Sequence, residues 1–340
     1  MAPSPSSRAR AAAATVVVLA SCALTLALAE VLVRLLVDVR NVGPSFTTFD
    51  PYYGKALKKD FHTWRTAPEF RMELTTNALG YRGPDLGPHE DVAIAFVGDS
   101  FTMGYGMSDG REFPRLIEAR LQERHPHLTV LNTGMGNNGN GRWVKALRRD
   151  IPRFSPELVV LAVMGNDFED NLREGLFRLE DGALVEQPVE RSFARRIQPA
   201  IEALWFPPRS HLFALALEAL RRPADLRPEP GSPGDEPDRP DTSDELTFAL
   251  VEESGRLVRA LGAHGLFILI EIEGERRARL RRIADHLRFD AIVIPTKAER
   301  PDLYFETDGH WTAAGHRFVA ERVAAHVEAH PELLSPAPND

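Results

Sequence analysis

The pattern of apolar and polar positions divides the chain into segments of different character. From Ala11 to Ala29 nineteen residues pass without a charge, most of them Ala, Val or Leu. A segment apolar on every side predicts a helix facing hydrocarbon, not one lying amphipathically on a core. At ~1.5 Å per residue such a run is about long enough to cross the hydrocarbon layer of a bilayer. Residues 40–90 are rich in Pro, Gly and aromatics without sustained periodicity, and read as an irregular lead-in lying over the folded region beyond it. From Val92 the pattern becomes regular. Val92-Ala93-Ile94-Ala95-Phe96-Val97 is a continuous apolar run broken at Gly98, as in a strand covered on both faces. Leu128–Leu131, Leu158–Val163, Leu266–Ile270 and Ala291–Ile294 predict further strands. Between and after them, helical periodicity covers Phe113–Leu121, Trp143–Ile151, Leu246–Leu261, Glu275–Leu287 and Ala313–Val327. Strands alternating with helices over 91–330 predict an α/β fold with a central parallel sheet and helices on both faces.

One interruption stands out. Residues 170–243 read as an insertion, of which 170–222 holds Phe177, Phe193, Trp205, Phe206 and Phe213 and predicts a helical cap. Residues 223–243 are dense in Pro, Asp, Glu and Gly, too poor in apolar surface to fold, and predict disorder. Residues 331–340 read as a tail.

Composition narrows the function. The 340 residues are 43% hydrophobic and 26% charged, ordinary for a globular protein. A net charge of −8 gives no basic footprint for nucleic acid. A single cysteine, Cys22, excludes an intrachain disulfide and a thiolate metal cluster. No Walker loop appears and no His/Asp/Glu group has ligand spacing, so neither a metal nor a cofactor is expected. Arg8 and Arg10 precede the first apolar run, which predicts residues 1–10 in the cytoplasm and the rest exported. Residues 11–39 are then an anchor or a signal. Ala27-Leu28-Ala29 has the form of a signal-peptidase site, and Leu19-Ala20-Ser21-Cys22 that of a lipobox. The apolar run continues past both through Val31-Leu32-Val33 and Leu35-Leu36-Val37, which favours an uncleaved anchor.

In parallel sheets, sites form beyond the carboxyl ends of the strands, so the chemistry should lie where the apolar runs stop. The first run leads into Gly98-Asp99-Ser100, which presents a serine hydroxyl beside turn N–H groups able to hold an oxyanion. The second ends in Asn132-Thr133-Gly134-Met135-Gly136-Asn137-Asn138-Gly139-Asn140-Gly141, a loop whose backbone can approach a ligand closely. The third ends in Met164-Gly165-Asn166-Asp167, where the Asn166 amide is a neutral donor for the same oxyanion, or a helix cap. Near the C-terminus stands Thr307-Asp308-Gly309-His310-Trp311. An imidazole that takes a serine proton needs a carboxylate on its other nitrogen, and Asp308 can supply one within a turn. Asp302 and Glu306 remain alternative carboxylates. His316 reads as a first-turn helix residue outside the site.

Taken together, Gly98-Asp99-Ser100, the glycine block at 134–139, Gly165-Asn166-Asp167 and Asp308-Gly309-His310 resemble four blocks of the SGNH (GDSL) hydrolase superfamily, over roughly residues 90–330. Asn77-Ala78-Leu79-Gly80-Tyr81-Arg82-Gly83-Pro84 resembles the segment before the first strand of membrane-anchored bacterial members. The resemblance implies a flavodoxin-like three-layer α/β/α sandwich and metal-free ester hydrolysis, preceded here by a transmembrane helix. Carried over, Ser100 is the nucleophile, His310 the base and Asp308 its orienting acid. Ser100 N–H, one of Gly136, Asn137 and Gly139, and the Asn166 amide would hold the oxyanion. Three features depart from the pattern: the spacing Asp-x-His resembles the related alginate acetyltransferases, Met164 replaces the first glycine of the third block, and Asn137 aligns with the glycine of the second. The substrates implied are acyl esters, O-acetyl above all, of an envelope or extracellular glycan, a lipid or a small ester. The setting implied is a bacterial inner membrane, crossed once, with the catalytic domain outside the cytoplasm. An O-acyltransferase using the same acyl-enzyme and an inactive carbohydrate-binding scaffold are the competing readings. Oligomeric state is not legible.

Overall fold

The structure, a computed structural model, describes residues 7–39, 41–86, 92–191, 193–203, 209–225 and 240–337. The first apolar run lies in α1 (Ser7–Leu36), which is long and apolar enough to cross a membrane. Its Leu19, Leu24, Leu35 and Leu36 are all more than half exposed, as suits a helix with no protein around it.

The lead-in is not irregular. After the short pair β1 (Thr47–Thr48) and β2 (Ala56–Leu57), β3 (Phe61–Ala67) and β4 (Phe70–Thr76) form an antiparallel hairpin. Met72, Leu74 and Thr76 are buried while Arg71, Glu73 and Thr75 face out, the period of two a half-covered strand requires. That alternation is present in the sequence but is shorter than the window over which periodicity stands out. The buried face packs with Leu57 against Met103 and Met135, in the segments that follow strands at the carboxyl end of the main sheet.

The main sheet comes next: β5 (Ile94–Gly98), β6 (Val130–Asn132), β7 (Leu158–Met164), β10 (His264–Ile270) and β11 (Asp290–Val293), with β8 (Phe177–Glu180) and β9 (Ala183–Glu186) outside it. All four pairings are parallel, in the spatial order β11-β10-β7-β5-β6. Counted along the sheet's own strands this is 2-1-3-4-5, the flavodoxin-like order, whose direction of winding reverses between β5 and β7. Ile94 and Phe96 face one apolar layer and Ala95 and Val97 the other. The first layer lies under α3 (Phe113–Leu121) and α10 (Ala313–Ala329); the second lies under α4 (Gly141–Arg149), α8 (Pro240–Ala260) and α9 (Gly274–Leu287). Fully buried side chains such as Phe96 and Phe267 each contribute about 1.5–3 kcal/mol by leaving water.

The insertion differs from an all-helical cap. After α5 (Asp167–Glu174), β8 and β9 form a hairpin across Asp181-Gly182, a dipeptide suited to a tight two-residue turn. Then come α6 (Phe193–Glu202) and α7 (His211–Asp225). The segment expected to be disordered overlaps α7 and α8 at its edges, and its centre, 226–239, lies outside the described residues.

Candidate active site

Ser100 begins α2 (Ser100–Met103), directly after β5 and beside the reversal of winding. Asp99 caps this turn, accepting from Phe101 N–H at 2.9 Å. As the first residue of a helical turn, Ser100 has an N–H with no intrahelical partner. Gly134 packs against the same turn: a β-carbon there would lie 2.2 Å from Met103 N, so the second loop approaches only because it carries glycine. Gly136 is next along the loop, its would-be β-carbon 3.5 Å from Ser100 Cβ.

His310 arrives from the opposite end of the chain. Its Nε2 lies 2.7 Å from Ser100 Oγ and its Nδ1 2.5 Å from Asp308 Oδ1. A carboxylate only accepts, so Nδ1 carries the proton and Nε2 is free to accept from the serine hydroxyl. The other acceptor near Oγ, Asp99 Oδ2, is at 3.4 Å, and the shorter contact to His310 prevails. The turn Asp308-Gly309-His310 closes through Gly309 at φ 87°. Phe101 and Tyr105 flank the imidazole with ring centroids 4.9 Å away. Of the alternative carboxylates, Asp302 pairs with Arg300 at 2.7 and 2.8 Å. Glu306 is exposed, and its main-chain carbonyl accepts from Lys297.

The structure sets one of the three donors left open in the second block apart from the other two. Gly139 N–H donates to Glu174 Oε2 at 3.1 Å and its α-carbon abuts Asn171, so it is committed elsewhere. Gly136 and Asn137 N–H groups have no acceptor among the described residues; their carbonyls both accept from Lys55 Nζ, at 2.6 and 2.7 Å. Asn166 is the N-cap of α5 without a capping bond, and its amide donates to Asp170 Oδ2 at 3.0 Å, leaving one N–H.

Several residues outside the four blocks shape the site, and of these Glu69 and Phe70 carry no signal in the sequence pattern. Glu69, at the tip of the β3–β4 hairpin, accepts main-chain N–H bonds from Thr307 (3.0 Å) and Asp308 (2.7 Å), holding the turn that carries Asp308 and His310. Phe70 packs on Phe305 and Tyr105 alongside it. Arg82, buried, donates to the carbonyls of Met103 (2.9 Å), Gly104 (2.8 Å) and Met107 (2.6 Å), bracing the loop after the serine. Asn77 makes the bend that delivers Arg82, accepting from Leu79 and Tyr81 N–H. The motif before the first strand thus braces the site.

Asp99 and Asp167 are both fully buried behind the serine turn. Burial pushes Asp99 up to about 6 and, with the charge of Asp99 nearby, raises Asp167 well above the carboxylate range. His316, also buried, accepts from Phe113 N–H at 3.2 Å, and burial pushes it down to about 3. It is a neutral packing residue in the first turn of α10, buried between α10 and α3. At the far end of the sheet, Asp290, His326 and His330 bring potential ligand atoms within 4.8 Å of one another, a grouping at odds with the expectation that no His/Asp/Glu group has ligand spacing. The two histidines are four apart at the end of α10, and the aspartate joins them only through folding.

A serine hydroxyl, an imidazole and a carboxylate stand in one hydrogen-bonded line at the winding reversal of a flavodoxin-like sheet, an arrangement suited to a serine nucleophile. The profile of the GDSL-like Lipase/Acylhydrolase family matches residues 96–318, and the chain belongs to that family. No curated protein matches the chain in sequence. Among solved structures it is similar to a two-domain esterase active on acetylated mannans (14% identity, TM-score 0.39, 73% of this chain). It covers 51% of that chain, about half its length. It is also similar to TesA (14% identity, TM-score 0.42, 69% of this chain and 98% of that one). A third is the psychrotrophic esterase EstA from Pseudoalteromonas sp. (13% identity, TM-score 0.38, 70% and 97%).

Proposed function

We propose that the protein is a membrane-anchored esterase that removes O-acyl groups, acetyl above all, from an envelope or extracellular glycan or lipid through Ser100, His310 and Asp308. The observation that carries this reading is the 2.7 Å and 2.5 Å line from Ser100 Oγ through His310 to Asp308. Ser100 Oγ attacks the acyl carbonyl while His310 Nε2 takes its proton; the imidazolium then returns that proton to the departing alkoxide. Asp308 holds the tautomer and stabilises the imidazolium. The oxyanion is held by Ser100 N–H, the N–H of Gly136 or Asn137, and the second N–H of Asn166. Water, activated by the same imidazole, releases the acid. The chain needs no metal for these steps.

The anchor reading rests on α1, whose uncharged run from Ala11 to Ala29 comes after Arg8 and Arg10 and precedes Glu30. It places the catalytic domain outside the cytoplasm. Ser100→Ala abolishes labelling by a fluorophosphonate probe and lowers turnover of p-nitrophenyl acetate by about 10³-fold or more. Undiminished labelling of that variant refutes the nucleophile. Acetate release from native against deacylated envelope polysaccharide tests the substrate. The two-residue spacing of Asp308 and His310 favours one second reading, transfer of the acyl group to a sugar hydroxyl. That reading predicts an acylated acceptor in place of free acetate.

A further inference from the structure

We propose that a cationic cavity between the end of α1, the β3–β4 hairpin and the start of α7 holds the phosphate headgroup of an anionic phospholipid. This inference rests on the anchor reading above. The cavity has a volume of about 340 Å³, and its walls include Arg34, Arg71, Arg209, His211, Trp64 and Thr66. Ser100, Asn166, Asp308 and His310 do not line it, so it is separate from the esterase site.

Arg34, Arg71 and Arg209 line one opening and give its walls a positive character that an anion complements. Glu30 answers the charge of Arg34. Its carboxylate accepts from Arg34 Nε (2.6 Å), Ser210 Oγ (2.7 Å) and the main-chain N–H groups of His211 and Leu212 (both 3.0 Å). Arg71 has no acidic partner among the described residues. Glu73, two positions along the same face of β4, lies 3.8 Å from His62 Nε2. A phosphodiester offers two charged oxygens, the geometry guanidinium forks match best. Trp64 and the Thr66 hydroxyl complete a wall that is half apolar and half polar, as residues at a membrane–water boundary are.

Depth selects the source of the phosphate. The nineteen uncharged residues from Ala11 to Ala29 span about 28 Å as a helix, close to the hydrocarbon thickness. The apolar helix continues to Leu36, and the whole stretch from Ala9 spans about 42 Å, close to a bilayer with its headgroup layers, so Glu30 and Arg34 near its end stand in the headgroup layer. Because Glu30 also ties α1 to the first turn of α7, the cavity is held at that depth. Lipid phosphates are fixed there; a free anion is not.

The test uses the full-length chain in neutral detergent, titrated with dioctanoyl phosphatidylglycerol, dioctanoyl phosphatidylcholine or inorganic phosphate. Melting temperature and native mass spectrometry are the readouts. Phosphatidylglycerol is expected to stabilise saturably with one lipid retained, and the other two are not. Arg71→Ala weakens binding roughly fivefold, and Arg71→Glu with Arg209→Glu by tenfold or more, from the attraction each arginine contributes. Turnover of a short soluble ester stays unchanged in both variants. Equal stabilisation by phosphatidylcholine or inorganic phosphate, or undiminished binding by the double variant, overturns the proposal. Wild type and the double variant should both pellet with carbonate-washed membranes. Retention of both without lipid preference overturns the headgroup site alone, whereas release of both overturns the anchor and the site with it.

Discussion

Glu69 is the point where a segment outside the sheet holds the turn of Asp308 and His310, and removing its carboxylate should separate positioning from stability. Its two oxygens accept the N–H groups of Thr307 and Asp308 at 2.7–3.1 Å. Hydrogen bonds to a charged group contribute about 1.5–3 kcal/mol each when water is excluded. Glu69 is half-buried, and water replaces it at the Thr307 end, so about 1–2 kcal/mol in all is a fair stability cost for Glu69→Ala. The catalytic cost is larger, because a drift of ~1 Å in Asp308 misplaces His310, and displacements of that size cost on the order of 10²-fold. We therefore expect Glu69→Ala to lower kcat on p-nitrophenyl acetate by about 10- to 100-fold with KM nearly unchanged. Melting temperature should fall by only a few degrees. Glu69→Gln should recover most of the loss, since the amide oxygen still accepts from the turn. Steady-state kinetics and thermal melts on the three proteins decide it. Wild-type kcat in Glu69→Ala, or a loss of activity no greater than the loss of folded protein, refutes the positioning role.

Three further outcomes are expected. Asp308→Asn keeps the shape of the turn but removes the charge that stabilises the imidazolium, so kcat falls by about 10²- to 10⁴-fold while the melting temperature barely moves. His316→Ala leaves a cavity and an orphaned Phe113 N–H, costing about 2–4 kcal/mol of stability in a denaturant melt, yet the folded fraction keeps its ester turnover. The buried titratable groups act in opposite senses. The Asp99 carboxyl, raised from 3.8 to about 6, contributes stability that is present in acid and lost as pH rises through 6. His316, lowered from 6.5 to about 3, contributes stability lost as pH falls through that range. Asp99→Asn should therefore gain stability on wild type as pH rises from 4 to 7, by up to about 3 kcal/mol in urea melts. A constant difference across that range refutes the assignment.

The sequence by itself determined the α/β class, the five strands of the sheet to within about two residues at most ends, and the candidate residues Ser100, Asp308 and His310. Each of these is local. A strand covered on both faces must be apolar throughout, whereas an element with one wet face alternates; Leu158–Met164 is such an unbroken run, and its neighbours obey the same rule. The proposed nucleophile and base stand in short motifs at the ends of these runs, so their chemistry is written in neighbouring residues. Tertiary structure alone decided the rest. Glu69 and Lys55 reach the site from a segment without helical periodicity, and nothing local distinguishes them from solvated charges until the hairpin folds over the sheet; Arg82 lies in the motif at 77–84, but its bracing role shows only in the fold. The exclusion of Gly139 from the candidate donors turned on Glu174, thirty-five residues beyond it, which takes the Gly139 N–H. His316 reads as peripheral because its partner, Phe113 N–H, lies 203 residues away in the chain. The grouping of Asp290 with His326 and His330 and the cavity at the end of α1 arise the same way. Spacing reports contacts within an element; contacts between elements depend on packing, which brings distant residues together without leaving a periodic trace.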